Sequence, residues 1–312
     1  MNYENILHSF VQLDRRYIIM TAENRASIRN IPKLIPENFL DVGIAEQSMV
    51  GIAAGLALCG RIPVIHALSA FLTMRAYEFI RTDVGISSLP VKLVGAIPGI
   101  LSEANGPTHQ AVEDIALMRT IPTMQIFSPA DEEDMLYNLP SFLKSNVPCY
   151  IRYNNMKAII KHKQLPLGAA EVFDDGRDAA IIVHGVLFNQ AFIAKEILEA
   201  KNISVRLINL RSLNPLDIST LLKAFNECKI IVTVEDHYLY GGLYSLILEL
   251  ADKYDIHINT LPIALMKKYF TPALFDAVIK NEGFSGEQIA EKIELHYNKK
   301  KGSYYAEWSS VQ

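Results

Sequence analysis

The chain has 312 residues, half of them hydrophobic and about a fifth charged. That suffices to bury the cores of about two domains, and it excludes a disordered chain, a coiled coil and a collagen-like fibre. Thirty basic and 34 acidic residues leave a net charge of −4, so bulk electrostatics give no hold on nucleic acid or an anionic membrane.

The N-terminal run MNYENILHSFVQLDRRYIIM has no basic segment followed by an apolar core, so no secretory signal is read there. The longest apolar stretches, such as 49–59, fall far short of the ~20 residues that span a bilayer. Cys59, Cys149 and Cys228 are scattered and odd in number, with neither a disulfide framework nor a metal-ligand spacing. This usage points to a reducing cytoplasm.

Short apolar runs at 17–20, 91–94, 124–127, 179–184, 205–210 and 230–235 predict strands. Helical patterns lie between them; over 187–200 the apolar residues Leu187, Ala191, Ala194 and Leu198 recur at helical spacing. Strands alternating with helices predict parallel α/β sheets covered on both faces. A boundary is expected at 161–178, where Lys161, His162 and Lys163 precede Pro166 and Gly168 and a polar turn follows. The fold class is therefore α/β, with two consecutive α/β domains of mostly parallel sheet, 1–165 and 175–300. The tail 301–312 shows no period and is expected to be mobile or to dock.

The first chemical constellation is Asp41-Val42-Gly43-Ile44-Ala45-Glu46-Gln47, followed by a run of small residues predicting a closely packed helix over 48–60. Glu46 falls in or just before the first turn. It complements the helix dipole, or it is a desolvated carboxyl between Ile44 and Met49 that shares a proton with a ligand nitrogen. In the next segment, 68–78, Phe71 and Met74 stand three apart and share a helix face, as core or as a ligand platform.

Gly106-Pro107-Thr108-His109-Gln110 follows Asn105 and predicts a turn that enters a helix through residue 119. His109 at that junction can face a cleft, although a lone histidine is more often structural or merely exposed. Asp131-Glu132-Glu133-Asp134 reads as an acidic first helical turn. Val234-Glu235-Asp236-His237 with Gly241-Gly242 lies at a strand end, and close loop packing explains the glycine pair better than phosphate binding.

Taken in order, AEQ, the small-residue helix, FLTMRAYEFIR, GPTHQAVEDIALMR, SPADEED and VEDH with GG resemble the C-terminal half of transketolases and deoxyxylulose-phosphate synthases. The resemblance runs from about residue 20 to about residue 293 and is strongest to split transketolases, whose two halves are separate polypeptides. It implies a thiamine-diphosphate pyrimidine-binding domain, then a transketolase C-terminal domain remote from the chemistry.

By this resemblance Glu46 bonds the aminopyrimidine and promotes the tautomer that deprotonates the thiazolium. Phe71 packs on the pyrimidine, with Leu68 and Met74 beside it and Glu23 as an acid near the cofactor. His109 contacts substrate hydroxyls and assists proton transfer. Arg152 matches an arginine that binds the substrate phosphate, against the plain reading of a surface arginine after a strand. Three positions depart from the pattern: Asn105 replaces an aspartate facing the donor sugar, Leu68 replaces a phenylalanine, and Ile97 stands where some members have histidine.

The family's Gly-Asp-Gly motif for Mg²⁺ and diphosphate is missing. The resemblance thus implies an N-terminal-type partner subunit holding both, in a dimer of heterodimers. The expected activity is transfer of a two-carbon ketol unit from a ketose, expected to be phosphorylated, to an aldose. A β subunit of a 2-oxoacid dehydrogenase decarboxylating component and a non-catalytic scaffold subunit are the alternatives.

Overall fold

The structure is a computed structural model that describes residues 2–266 and 268–298. The expected tail, 301–312, lies outside the described residues. Helix α1 (Tyr3–Leu13) is capped by Asn2, whose side chain accepts from the Asn5 N–H, and buries Tyr3, Ile6, Leu7 and Val11 along one stripe. Then come β1 (Tyr17–Thr21), α2 (Ile31–Leu34), β2 (Phe39–Asp41), α3 (Glu46–Leu58) and β3 (Ile62–Leu68). Two π-helical segments, Phe71–Arg75 and Ile80–Gly85, flank α4 (Tyr77–Phe79). The first half continues with β4 (Lys92–Ala96), α5 (Asp114–Arg119), β5 (Gln125–Phe127), α6 (Glu132–Leu143) and β6 (Cys149–Arg152).

The second half begins with β7 (Glu171–Phe173), β8 (Ala179–Val183), α7 (Phe188–Ala200), β9 (Val205–Asn209) and β10 (Ser212–Asn214). It ends with α8 (Ile218–Glu227), β11 (Ile230–Tyr238), α9 (Leu243–Lys253), β12 (Thr260–Leu265), α10 (Phe275–Asn281) and α11 (Gly286–Asn298).

These strands build two mostly parallel sheets, as expected. The first has seven strands in the order β10-β5-β6-β4-β3-β1-β2, the second five in the order β12-β11-β8-β9-β7. Among the strand pairings of the described residues, only β10–β5 and β7–β9 are antiparallel. Parallel strands covered on both faces must be apolar almost throughout. β8 and β9 accordingly bury every residue.

The chain does not divide cleanly in space. β10, from the second half of the sequence, forms an edge of the first sheet. One apolar cluster runs from Met20, Met49 and Ile65 through Ile115 to Ile182, Leu243 and Leu246, so the two sheets share a core. The segment read as a linker carries His162, which is buried and bonds Asp131 at 2.9 Å and Glu171 at 2.8 Å. Asp131 caps α6 through the Asp134 N–H, and Asp134 meets Arg211 at 3.0 Å inside the same polar cluster. The acidic first turn of α6 is thus present as expected, and two of its residues, Asp131 and Asp134, are buried in a polar hub that joins the two halves.

Candidate active site

In open α/β sheets, ligand sites form beyond the carboxyl ends of the strands. Here the ends of β1, β2, β3 and β4 launch the loops bearing the residues singled out from sequence. Several of these loops hold costly backbone. Glu23 (φ 59°), Ile97 (φ 47°) and Glu103 (φ 48°) are left-handed non-glycine residues, and Gly43 (φ 74°) turns the chain into α3. Such strain persists only where the surroundings enforce it, and it concentrates at functional sites.

Asp41, at the end of β2, organises the first two loops. Its Oδ1 accepts from the Glu23 N–H at 3.2 Å and the Gly43 N–H at 3.0 Å, and its Oδ2 accepts from the Arg25 guanidinium. Burial works against the charge, yet the Gly43, Arg25 and Glu23 bonds hold this carboxyl below its usual range. Glu23 itself is exposed, tied by its backbone to the loop that leads into α3.

Glu46 opens α3 with only 3% of its surface exposed. Met49 is fully buried behind it, but Ile44 is 71% exposed and does not wall the carboxyl as expected. A cation does instead: Arg75 Nη1 donates to Glu46 Oε2 at 3.0 Å. The Arg75 guanidinium carbon lies 4.4 Å from the centroid of the Phe71 ring, which it covers on one face. Phe71 meets His109 edge-on, with centroids 5.1 Å apart. His109 Nδ1 is hydrogen-bonded to Thr108 Oγ1 at 2.9 Å. Glu46, Arg75, Phe71 and His109, which lie far apart in sequence, thereby form one continuous cluster.

Leu68 ends β3 and Met74 lies in the π-helical turn after it, both half-buried beside this cluster in the chain. The π-helical winding replaces the ordinary helix expected over 68–78 and changes which side chains share a face. Asn105 is exposed and turns its amide back onto the Ser102 carbonyl at 2.8 Å.

Arg152 is buried: its side chain is 3% exposed, with Nε on Asp114 Oδ2 at 2.9 Å and Nη1 on Asp236 Oδ1 at 2.7 Å. Tyr150 donates to the same Asp114 oxygen at 2.6 Å. The guanidinium thereby ties the first half of the chain to β11.

Glu235, beside it, accepts the N–H groups of Leu243 and Tyr244 at 2.6 and 2.9 Å and so caps α9, while burial pushes its carboxyl up to about 8. A Cβ on Gly242 would strike that carboxylate, which explains the glycine pair by close packing.

Sequence reasoning missed two further residues. Arg75 carried no local signal, because its partner Glu46 lies 29 positions away. Gln110 is 1% exposed, and its Nε2 donates to the Phe270 carbonyl at 2.8 Å, across 160 positions.

The chain matches the family models "Transketolase, pyrimidine binding domain" over residues 3–158 and "Transketolase, C-terminal domain" over residues 168–289. It is 33% identical to a 6-deoxy-6-sulfo-D-fructose transketolase subunit, SqwH, of Clostridium sp. (strain MSTE9), over 78% of this chain and 77% of that protein. It is 34% identical to the 1-deoxy-D-xylulose-5-phosphate synthase of Caldanaerobacter subterraneus subsp. tengcongensis, over 93% of this chain and 47% of the synthase, so it spans about half of that protein. A solved structure described as a split gene transketolase, inactive beta4 tetramer, superposes with a TM-score of 0.84 at 28% identity, covering 95% of this chain and 96% of that one.

Proposed function

This chain belongs to the transketolase family, and we propose that it is the C-terminal-type subunit of a two-chain transketolase that moves a two-carbon ketol unit from a ketose to an aldose. The observation that carries the reading is the Glu46–Arg75–Phe71–His109 cluster at the strand ends. In this reading residues 1–165 form the cofactor-binding domain and 175–300 the second domain.

The pyrimidine end of thiamine diphosphate suits these residues. Glu46 offers a buried carboxyl, and Phe71, braced by Arg75 on one face, offers an aromatic ring for the pyrimidine to pack on. Leu68 and Met74 would add apolar surface, and Glu23 an acid near the cofactor. The diphosphate end does not suit them. There is no Gly-Asp-Gly. Among the described residues, the cluster able to hold a metal is Asp134, His162 and Glu171, which is buried and ion-paired to Arg211. Diphosphate and Mg²⁺ need a fixed array of hard oxygen ligands. We assign that array to an N-terminal-type partner subunit, in a dimer of heterodimers.

When bound, thiamine diphosphate supplies a carbon nucleophile for the ketose carbonyl. Glu46 would hold the proton shared with the aminopyrimidine nitrogen, and Arg75 keeps its carboxyl oriented. His109 would exchange protons with sugar hydroxyls, its Nδ1 engaged by Thr108 and its Nε2 left for substrate. Asn105 would meet the donor sugar without a charge. Arg152 is held between Asp114 and Asp236, and the reading covers a ketose, expected to be phosphorylated, without resting on its terminal group.

We assign the chain to a reducing cytoplasm on its three scattered cysteines. Among the described residues no helix is long and apolar enough to cross a membrane. Co-expression with an N-terminal-type subunit, followed by a ketol-transfer assay, tests the proposal. Transfer by the pair and its loss in Glu46→Ala are expected. Decarboxylation of 2-oxo acids in its place, or full activity in Glu46→Ala, contradicts the proposal.

A further inference from the structure

We propose that the second domain is a working part of the active site: through Phe270 and Pro272 it fixes the loop that carries His109, with Gln110 as the positioning residue. This rests on the reading of His109 as a substrate-facing group. It departs from the expectation that the C-terminal domain stands remote from the chemistry.

The loop from the end of β4 to the start of α5 spans residues 97–113 and contains no strand pairing beyond one bridge, Gly99 with Ala111. Short 3-10 turns make up most of the rest. His109 is held inside the loop by its own N–H on the Gly106 carbonyl at 3.0 Å. Thr108 and Phe71 meet the His109 ring within the first half, but the backbone on either side of it is bonded mainly within its own short turns.

The second domain supplies what is missing. The buried Gln110 amide leaves the loop and donates to the Phe270 carbonyl at 2.8 Å. Its Oε1 has no partner among the described residues, so the bond to Phe270 is what orients this side chain. The Pro272 ring lies alongside Gly106, 3.9 Å from where a Cβ would stand. The Tyr238 N–H donates to the Val112 carbonyl at 2.9 Å. Ile100 and Val112 are buried in the second domain's own apolar cluster, with Phe270, Leu265 and Val278. These contacts fall on positions 100, 106, 110 and 112, and so bracket His109 from both sides.

This arrangement has a chemical consequence. Misplacing a reacting group by about 1 Å costs about 100-fold in rate. Loosening the second-domain strap should therefore impair turnover without removing a catalytic group and without touching the cofactor's binding residues.

The test reads His109 directly. Histidine is labelled with ¹³C, the ring signal of His109 is assigned through His109→Gln, and spectra are recorded for wild type, Gln110→Met and Pro272→Gly. Gln110→Met keeps the shape of the side chain and removes its donor. Pro272→Gly loosens the strap from the other domain and carries the test if Gln110→Met does not fold. We expect both variants to shift or broaden the His109 signal while exposed His257 stays in place. In the pair reconstituted with the partner subunit, kcat should fall by about 10- to 100-fold with thiamine diphosphate affinity within about twofold of wild type. An unmoved His109 signal in a folded variant overturns the proposal. Because the spectra need no turnover, a wild-type pair without ketol transfer would count against the proposed function and leave this inference standing.

Discussion

Arg75 reaches the buried carboxylate of Glu46 with one guanidinium nitrogen at 3.0 Å while lying across the ring of Phe71, 4.4 Å from its centroid. One side chain therefore braces both residues that the family reading assigns to the coenzyme's nitrogen ring. The Arg75 side chain is 44% exposed but that of Glu46 only 3%, so removing the arginine leaves a buried carboxylate without its partner and costs about 1–3 kcal/mol. Arg75→Met should lower the thermal midpoint by a few degrees and kcat of the reconstituted pair by roughly 10-fold, as expected for a misplaced proton-transfer group. A variant with normal turnover would show that Glu46 needs no brace.

Arg152 acts through stability. It bridges Asp114 in the first half and Asp236 in the second, with all three side chains buried. Removing one partner of a buried ion pair leaves an uncompensated charge and costs about 3–5 kcal/mol. Arg152→Met should therefore lower the urea midpoint steeply. At a temperature where the variant is still folded, the KM for a phosphorylated ketose should stay near wild type. A large rise in KM with unchanged stability would restore Arg152 as a phosphate ligand.

Gly99 adds a backbone test of the same junction. Its φ is +55°, and a Cβ there would collide with Asp236 and lie 2.7 Å from Arg152 Nη2. Gly99→Ala combines left-handed strain with displacement of the clamp, so a loss of several kcal/mol is expected in chemical denaturation. A midpoint unchanged by this substitution would contradict the described packing.

His162 gives the junction a pH signature. Burial disfavours its charge, but bonds from Asp131 and Glu171 outweigh that and raise it to about 9 from an ordinary 6.5. A folded value above the unfolded one means stability fully present below pH 6.5 and lost as pH climbs through about 9. The stability gap between wild type and His162→Gln, measured in urea, should be widest near pH 6 and shrink by a few kcal/mol by pH 9.5. A gap independent of pH would mean that His162 stays neutral in the folded chain.

Much of this was legible in the sequence where the signal is local. Apolar runs marked the buried parallel strands β1, β4, β5, β8, β9 and β11 to within a few residues. Several others were not marked. β2, β7 and β10 are three residues each and carry too little pattern to stand out. β3 is interrupted by Pro63 and by His66, a histidine that the interior keeps neutral: burial lowers it to about 4, between Tyr3 and the Met20 carbonyl. Glu46, Phe71 and His109 were found as motif residues, and the structure brings them together. Arg75 and Gln110 escaped because their meaning lies in partners far along the chain. The short arginine motif at Arg152 says nothing of the two carboxylates, 38 and 84 positions away, that pair with it.

The central claim is that Glu46 works on the coenzyme's nitrogen ring, and deuterium exchange at the thiazolium carbon of thiamine diphosphate bound to the reconstituted pair measures this without any sugar. Exchange in the wild-type pair should be about 100- to 10,000-fold faster than in the pair carrying Glu46→Ala, the range that a positioned acid–base group contributes. Equal exchange rates in the two pairs, with the coenzyme shown to be bound in both, would contradict the account.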